Sequence, residues 1–482
     1  MAAALRLRSK GHTVTLVDRC SRLGGRAQVF ERDGFRHDAG PTVLTAPFLF
    51  DELFDLFAKK RSDYVEFVPV EPWYRFEYRD GTTFNYGGSV EDTLAEIERI
   101  NPADQQGYLS LLKQSEKIFD VGFTELGDQP FHRFGTMIRQ VPHLIRLGCY
   151  RTVWQLVCKH LKDDRLRQAF SIPPLLVGGN PFETTSIYNL IHYVERKWGI
   201  HFAMGGTGAI VDALTQLMEE EGIEVKTETT VTSLEIHNDR ITAVETESGE
   251  HLTADTFVSN LDPAFLYRNL LPARHQTLLA RIKQKRAKFS MGLYVLFFGT
   301  TRKYEELAHH TIWLGSRFEE LLKEVFHGTK LPDDFSLYLH RPTATDPSFA
   351  PEGCDSFYVL APVPNLQADV DWEVEGPRMR DRIVDELADS IMPGLRESIT
   401  SDFYMTPENF QQDYQSVHGA GFSVSPIFSQ SAWFRFHNKS EGPKNLYLVG
   451  AGTHPGAGLP GVLCSAKVLD RLIPTAQPQE VA

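Results

Sequence analysis

The chain has 482 residues, a formal net charge of -13 at pH 7, 42% hydrophobic residues and 23% charged residues. These values are typical of a folded protein of two or three domains and exclude a disordered chain. The negative charge argues against nucleic acid as a partner. Five scattered cysteines without metal-ligand spacing predict free thiols in a reducing cytosol and no metal site. No apolar run reaches the about 18–20 residues that span a bilayer, and we expect no signal peptide.

The first elements of the chain read as a helix, a glycine and a strand that ends in a carboxylate. Residues 1–8 (MAAALRLR) favour a helix, Gly11 ends it, and residues 12–18 (HTVTLVD) favour an apolar strand. This order is typical of the second half of a βαβ dinucleotide-binding unit. Asp18 is then placed to accept hydrogen bonds from two ribose hydroxyls, with a plain strand-end turn as an equal alternative.

Two glycine motifs follow this strand. In "RLGGRA", Gly24 and Gly25 allow the backbone to approach a bound group, and Arg26 is suited to neutralise a pyrophosphate. In "DAGPT", Pro41 and Thr42 form a rigid turn suited to lie along a flat ring. Each motif alone is compatible with an ordinary turn. Their order after a strand-end acid favours a large dinucleotide.

The middle of the chain alternates between strand and helix signals. Alternating residues and a turn at Asp80-Gly81 predict a hairpin within 64–86, and helical periodicity covers 91–172. Further predicted elements are a helix at 205–220 and strands at 223–237, 240–246, 251–258, 289–299 and 355–363. The α/β segments therefore lie at the start, middle and end, which favours a discontinuous nucleotide domain with inserted domains.

One segment, residues 132–167, departs from the acidic average of the chain. It contains eight Lys or Arg residues against two Asp, interleaved with apolar residues that include Trp154. A basic amphipathic helical segment of this kind is typical of binding to an anionic membrane surface. An ordinary solvated helix packed on a core is the alternative, and the sequence leaves both open.

The C-terminal segment "NLYLVGAGTHPGAGLPGVLCS" at 445–465 is the most specific motif. It resembles, position by position, the C-terminal signature of the bacterial-type phytoene desaturase family. Physically, a strand at 446–449 leads into Gly450 and Gly452, which allow backbone approach to a cofactor. We expect Gly461 and Val462 to start a helix whose N-terminal amides face the pyrimidine end of a flavin.

The resemblance spans the whole chain, with further family-like stretches at 175–192, 335–353 and 430–438. It implies an α/β fold of the glutathione-reductase-like, amine-oxidase type. A discontinuous Rossmann-like FAD domain would carry an inserted mixed-sheet substrate domain and a helical membrane-facing domain. The expected boundaries are 1–63, 201–270 and 439–482 for the FAD domain, 64–90 and 271–438 for the substrate domain, and 91–200 for the helical region.

The resemblance also implies an activity, partners and site residues. Family members desaturate phytoene to lycopene in carotenoid biosynthesis, with FAD as cofactor and oxygen or a quinone as electron acceptor. We expect a peripheral protein at the inner face of the cell membrane. Val231 would supply a backbone contact to the adenine, after the helix opened by "MGGTGAIVDAL". His454 and Arg139 are the candidate catalytic residues, although a structural histidine and a solvated arginine are the more ordinary interpretations.

Alternatives of other classes remain open at this stage. They are a C30 carotenoid desaturase, a carotenoid isomerase, an amine oxidase, and a carotenoid-binding protein without flavin. In the family, a strand and a G-x-G-x-x-G turn precede the helix at residues 1–8. We therefore expect that Met1 is an internal methionine, and that the chain as written binds FAD weakly or not at all.

Overall fold

Most helices and strands occupy segments close to those that the sequence predicts, but the predicted strands at 223–237 and 251–258 are each divided into two strands of different sheets. In the computed structural model, which describes residues 1–477, the α-helices are Ala2–Ser9 (α1), Phe48–Asp55 (α2), Val90–Ile100 (α3), Gln105–Phe119 (α4), Phe134–Leu147 (α5), Val153–His160 (α6), Asp164–Ala169 (α7), Leu190–Trp198 (α8), Gly206–Glu220 (α9), Pro263–Phe265 (α10), Leu278–Arg286 (α11), Phe318–His327 (α12), Trp372–Asp389 (α13), Leu395–Ser398 (α14), Pro407–Tyr414 (α15), Leu459–Lys467 (α16) and Leu469–Leu472 (α17).

The strands are Thr15–Val17 (β1), Val29–Arg32 (β2), Phe35–Asp38 (β3), Phe67–Pro69 (β4), Tyr74–Tyr78 (β5), Thr83–Tyr86 (β6), His201–Ala203 (β7), Glu224–Lys226 (β8), Val231–His237 (β9), Arg240–Thr246 (β10), His251–Thr253 (β11), Phe257–Ser259 (β12), Gly292–Thr300 (β13), His310–Leu314 (β14), Leu337–His340 (β15), Asp355–Val363 (β16), Ile399–Met405 (β17) and Leu446–Leu448 (β18).

Two parallel strand pairs join segments that are distant in sequence. β1 pairs with β8, and β12 pairs with β18. No hydrogen bond joins the two pairs into one sheet within residues 1–477. β1 is shorter than the predicted strand because the turn that ends α1 extends to His12, whose N–H bonds to the Leu7 carbonyl. The start, middle and end of the chain thus come together, as the sequence predicts.

The largest sheet has seven strands in the order β17-β13-β16-β15-β14-β5-β6. The β14–β5 pair is parallel and the other pairs are antiparallel. The predicted hairpin is β5–β6, and Gly81 takes a positive φ of 79° in its turn. Every residue of β13 is buried, as expected for an unbroken apolar strand covered on both faces.

The predicted helical region forms a layer over one end of this sheet. Buried side chains of α3, α4 and α6 pack against Tyr74, Phe76 and Phe84 of β5 and β6. α5 differs from its neighbours, because Met137 is its one buried residue. No helix within the described part of the chain is long and apolar enough to cross a bilayer.

Candidate cofactor and substrate site

One cavity of about 1950 Å³ runs between the parallel strand pairs, the large sheet and the helical layer. Its volume exceeds the about 300–1,000 Å³ that is typical of a pocket for one small ligand. Its lining includes every residue that the sequence assigns to cofactor binding: Asp18, Gly24, Gly25, Arg26, Pro41, Thr42, Val231, Gly450, Gly452, Gly461 and Val462. The cavity has a polar, glycine-rich end and an apolar end.

At the polar end, Asp18 directly follows β1. Its N–H donates to the Lys226 carbonyl at 2.8 Å, which continues the pairing with β8. Its Oδ1 accepts a hydrogen bond from the Cys20 N–H, also at 2.8 Å, which fixes the carboxylate in the turn. Val231, the first residue of β9, lines the same end of the cavity. These positions fit the predicted contacts to ribose and adenine.

Gly24 brings the backbone close to helix α9. Its φ is +112°, and a Cβ at this position would lie 2.8 Å from Cγ2 of Val211. Side chains other than hydrogen are therefore excluded by both conformation and space. The backbone of the Gly-Gly-Arg turn stays at the cavity wall, where a bound group can approach it.

Arg26 presents an unpartnered donor at the same wall. Its Nη2 donates to Ser416 Oγ at 2.6 Å, whereas its buried Nε has no hydrogen-bond partner. Burial lowers the pKa of Arg26, and the nearby Asp262 and Tyr414 oppose that shift. A buried guanidinium N–H without an acceptor is unfavourable unless an anion supplies one. The arrangement fits a pyrophosphate.

Thr42 fixes the Gly-Pro-Thr turn to the large sheet. Its Oγ1 lies 2.9 Å from the Tyr338 hydroxyl and 2.8 Å from the Tyr358 hydroxyl. The Tyr338 hydroxyl in turn lies 2.7 Å from Nδ1 of His310. Both tyrosines line the cavity, and sequence reasoning missed them. No local signal could have found them, because each lies about 300 residues from Thr42.

The C-terminal signature forms a tight glycine loop and the start of α16. Gly450 has a φ of +98°, and its N–H donates to Ser465 Oγ at 2.8 Å. α16 begins at Leu459 with Pro460 in its first turn, so the prediction that Gly461 and Val462 start this helix is wrong by two residues. Proline is favoured in the first turn of a helix, because a backbone N–H at that position has no acceptor within the helix.

Arg435 holds the signature loop in place from the family-like stretch 430–438. Its Nε donates to the Thr453 carbonyl at 2.9 Å, and its Nη2 donates to the Ala451 carbonyl at 2.6 Å. Arg435 is itself 2% exposed. The sequence marked this stretch without assigning it a role, and the structure gives it one, which is to fix the backbone that lines the cavity.

The two candidate catalytic residues lie in different environments. His454 is buried, lines the cavity, and places Nε2 3.0 Å from the Leu126 carbonyl. Burial lowers its pKa to about 4, so its ring is neutral at neutral pH. Arg139 is exposed on α5 and does not line the cavity. The prediction that Arg139 polarises the site is therefore corrected, because its guanidinium faces outward.

Three buried histidines meet beside the Tyr338 hydroxyl, although the sequence predicts no metal site. Nε2 of His309 lies 3.1 Å from Nε2 of His340, and one ligand atom from each of His309, His310 and His340 lies within 4.8 Å of the others. This spacing is compatible with a divalent cation. The sequence conceals the cluster because His340, on β15, lies far along the chain from the adjacent pair His309 and His310.

The apolar end of the cavity is lined by α5, α8, α12 and the large sheet. Its lining residues include Met137, Leu144, Ile191, Phe318, Leu322 and Leu360. Such a surface offers few hydrogen bonds and fits a long hydrocarbon. The polar end offers a strand-end acid, close backbone approach and an unpaired guanidinium N–H, and these residues fit a flavin dinucleotide.

The sequence comparisons give the chain's relatives. The family model described as "Flavin containing amine oxidoreductase" matches residues 1–467. The chain is 46% identical to "Phytoene desaturase (lycopene-forming)" of Pantoea ananas, over 97% of this chain and 95% of that protein. It is 44% identical to the enzyme of the same description from Pseudescherichia vulneris, over 98% and 96% of the two chains.

A solved structure confirms the fold at much lower identity. An oxidoreductase from Methanosarcina mazei superimposes with a TM-score of 0.65 at 15% identity, covering 97% of this chain and 96% of that one. At this identity the likeness bears on the fold alone. The fold is thus the α/β fold of flavin amine oxidases.

Proposed function

Because this chain belongs to the flavin-containing amine oxidoreductase family and, within it, to the phytoene desaturases, we propose that it desaturates phytoene to lycopene with FAD as cofactor. The lycopene-forming description of two relatives at 44–46% identity supports the end product. The C30 desaturase, isomerase, amine oxidase and flavin-free alternatives have less support than this assignment.

The observation that carries the proposal is the continuity of the cavity. Gly450, Gly461 and Thr42 line the same space as Phe318 and Leu322. A cofactor bound at the glycine-rich end would therefore contact a hydrocarbon bound at the apolar end inside one cavity, away from bulk water. Exclusion of water and placement of the reacting carbons are what the protein contributes to cofactor chemistry.

Residues at the polar end would hold the cofactor. Asp18 would accept hydrogen bonds from the ribose, Arg26 would donate to the pyrophosphate, and Val231 would contact the adenine. When bound, FAD supplies a two-electron oxidant that accepts a hydride, and an acceptor such as oxygen or a quinone takes the electrons on. Backbone N–H groups of the Gly24 turn and of the first turn of α16 would face the cofactor.

We propose that the domains follow the predicted boundaries. Segments 1–63, 201–270 and 439–477 would form the FAD domain, and the pairing of β1 with β8 and β12 with β18 supports this grouping. Residues 478–482 of the last predicted segment lie outside the described residues. Segments 64–90 and 271–438 would form the substrate domain around the seven-stranded sheet. Segment 91–200 would form the helical region.

We further propose that α5 docks the protein on the inner face of the cell membrane. Phe134, Ile138, Val141 and Ile145 recur at helical spacing and are exposed, with Ile138 at 56% and Ile145 at 59%. The exposed Arg139 lies on the same helix and would meet anionic headgroups. The flank of α5 beside this exposed stripe contributes Met137 and Leu144 to the cavity, so a lipid-dissolved substrate would have a short path inward.

Expression in cells that accumulate phytoene tests the function. We expect extracts to contain lycopene, separated by chromatography and identified by absorption spectrum and mass. Neurosporene or ζ-carotene as the final product would change the number of steps and keep the enzyme class. Unchanged phytoene, with folded flavin-loaded protein present, would overturn the proposal.

A further inference from the structure

One glutamate lies among the apolar residues that line the substrate end of the cavity. Leu190, Ile191, Val194 and Glu195 line the cavity from one side of α8. Glu195 is 1% exposed, although glutamate is rarely buried without a charged partner. The helical spacing shows that the acid sits on the apolar, inward side of the helix rather than on its solvated side.

The carboxyl group of Glu195 is held at one oxygen and free at the other. The Tyr74 hydroxyl donates to Oε1 at 3.0 Å, and Tyr74 also lines the cavity. Oε2 is buried and has no hydrogen-bond partner. An unpartnered buried carboxyl oxygen is unfavourable for the fold, and a buried acid that lines a cavity is a candidate for a chemical role.

The other acids of the cavity lie elsewhere. Within residues 1–477, the remaining carboxyl groups in the lining are those of Asp18, Asp255, Asp262 and Asp413. Asp18 ends β1, Asp255 and Asp262 flank β12, and Asp413 adjoins Tyr414, whose ring lies under Arg26. All four belong to the polar end of the cavity. Among the described residues, Glu195 is thus the carboxyl-bearing residue of the lining that lies among the apolar residues.

We infer that Glu195 accepts the proton that each desaturation removes from the hydrocarbon. This inference rests on the proposed function. Desaturation takes two hydrogens from neighbouring saturated carbons, and one leaves with two electrons as the hydride that the oxidant accepts. The second C–H bond then breaks, its electron pair becomes the π bond of the new alkene, and its proton forms an O–H bond with Oε2 of Glu195. Loss of that proton to solvent between turnovers restores the carboxylate.

The surroundings of Glu195 make it a strong base once it is ionised. Burial raises its pKa to about 8, and the Tyr74 hydrogen bond and Arg196 oppose that rise. A base whose pKa lies near the working pH is efficient in proton transfer. The titratable groups that interact with it are Tyr74, Tyr86 and Arg196, and His310 packs against the Tyr74 ring.

The test compares Glu195→Gln with Glu77→Gln in the FAD-loaded full chain, with phytoene supplied in liposomes. Glu77 is a second buried glutamate, but it pairs with Arg75 and does not line the cavity. We expect kcat to fall by about 10²–10⁴-fold in Glu195→Gln and to stay near wild type in Glu77→Gln. Glu195→Asp, which keeps a carboxylate one methylene further away, should recover part of the loss.

Two readouts separate a chemical role from a structural one. The wild-type kcat should rise with pH up to about 8, because the carboxylate is the active form, and this rise should be absent in Glu195→Gln. In the apoprotein, an infrared carboxylic-acid band should titrate near that pH in wild type and in Glu77→Gln but not in Glu195→Gln.

A Glu195→Gln variant with wild-type kcat and pH profile would overturn the inference. If wild type itself forms no desaturated product, the proposed function fails instead.

Discussion

The Asp38 carboxylate accepts two hydrogen bonds of 2.9 Å from Thr207, one from its backbone N–H and one from its hydroxyl. The contact joins the end of β3, immediately before the Gly-Pro-Thr turn, to the first turn of α9. Burial raises the pKa of Asp38 to about 6, although the Thr207 hydrogen bonds and Arg36 oppose the rise. Two cavity-lining segments that lie far apart in sequence are thereby fixed to each other.

This pairing predicts a pH dependence that Asp38→Asn should remove. The folded pKa lies above the unfolded value of about 3.9, so the folded chain holds the extra proton and this contribution to stability is lost as pH rises through 6. From pH 5 to 7.5, the wild-type free energy of unfolding should fall by about 1 kcal/mol relative to Asp38→Asn. Urea unfolding at several pH values measures this free energy. Parallel plots of unfolding free energy against pH for the two proteins would contradict the prediction.

Local patterns predicted the elements well and the contacts between them poorly. The strand at 355–363 is found at its predicted bounds because its short, β-branched and aromatic apolar stretch favours a buried strand. The eleven residues that the motifs and the family resemblance assign to cofactor binding all line one cavity. Local patterns could not predict the Thr42–Tyr338 contact, because only folding brings β15 next to the Gly-Pro-Thr turn.

The errors at Arg139 and α16 have separate physical causes. The sequence of a basic amphipathic segment does not show which of its faces points inward. Met137 lines the cavity, and Arg139 does not. At α16, Pro460 indicates the first turn of a helix, so the helix starts before the predicted Gly461. Glu195 carried a local signal, an acid on the apolar face of a helix, which sequence reasoning did not use.

The histidine cluster predicts a loss of stability in mild acid. Burial lowers the pKa values of His309, His310 and His340 well below their usual range, so the folded chain resists protonation. Unfolded histidines bind protons below about pH 6.5, and stability is therefore lost as pH falls through that value, by up to about 1.4 kcal/mol per pH unit for each histidine.

His340→Gln should reduce the slope of the unfolding free energy against pH, measured between pH 6.5 and 5. The reduction should correspond to about one bound proton, or about 1.4 kcal/mol per pH unit. A chelator is present throughout, because the spacing of the three imidazoles is compatible with a divalent cation. His237→Gln serves as a matched control, because His237 is exposed at the end of β9 and does not line the cavity. Equal slopes in the wild type and His340→Gln would show that the cluster does not resist protonation.

Gly24→Ala should weaken FAD binding without unfolding the chain. The added methyl group would lie 2.8 Å from Cγ2 of Val211 and would strain a backbone at φ +112°, so the turn must move away from the cofactor. We expect the dissociation constant for FAD to rise at least about tenfold, equivalent to 1.4 kcal/mol. Quenching of flavin fluorescence measures it.

Gly81→Ala is the matched control for this substitution. Gly81 also has a positive φ, of 79°, but an added methyl group there would meet nothing within 4 Å. It lies in the β5–β6 turn and does not line the cavity. A similar rise in the dissociation constant for both variants would mean that the loss reflects general strain rather than the cofactor site.

A charge on the exposed face of α5 should abolish membrane attachment while leaving the fold intact. Ile138→Glu combined with Ile145→Glu replaces two exposed apolar side chains by carboxylates. A carboxylate is disfavoured in the acyl region and is repelled by anionic headgroups. Sedimentation with anionic liposomes should therefore lose most of the bound protein, and desaturation of liposome-borne phytoene should fall in proportion. Leu278→Glu controls for surface charge, because Leu278 is 74% exposed on α11, outside this face. Liposome binding that survives in the double variant, or is lost equally in Leu278→Glu, would show that α5 is not the docking surface.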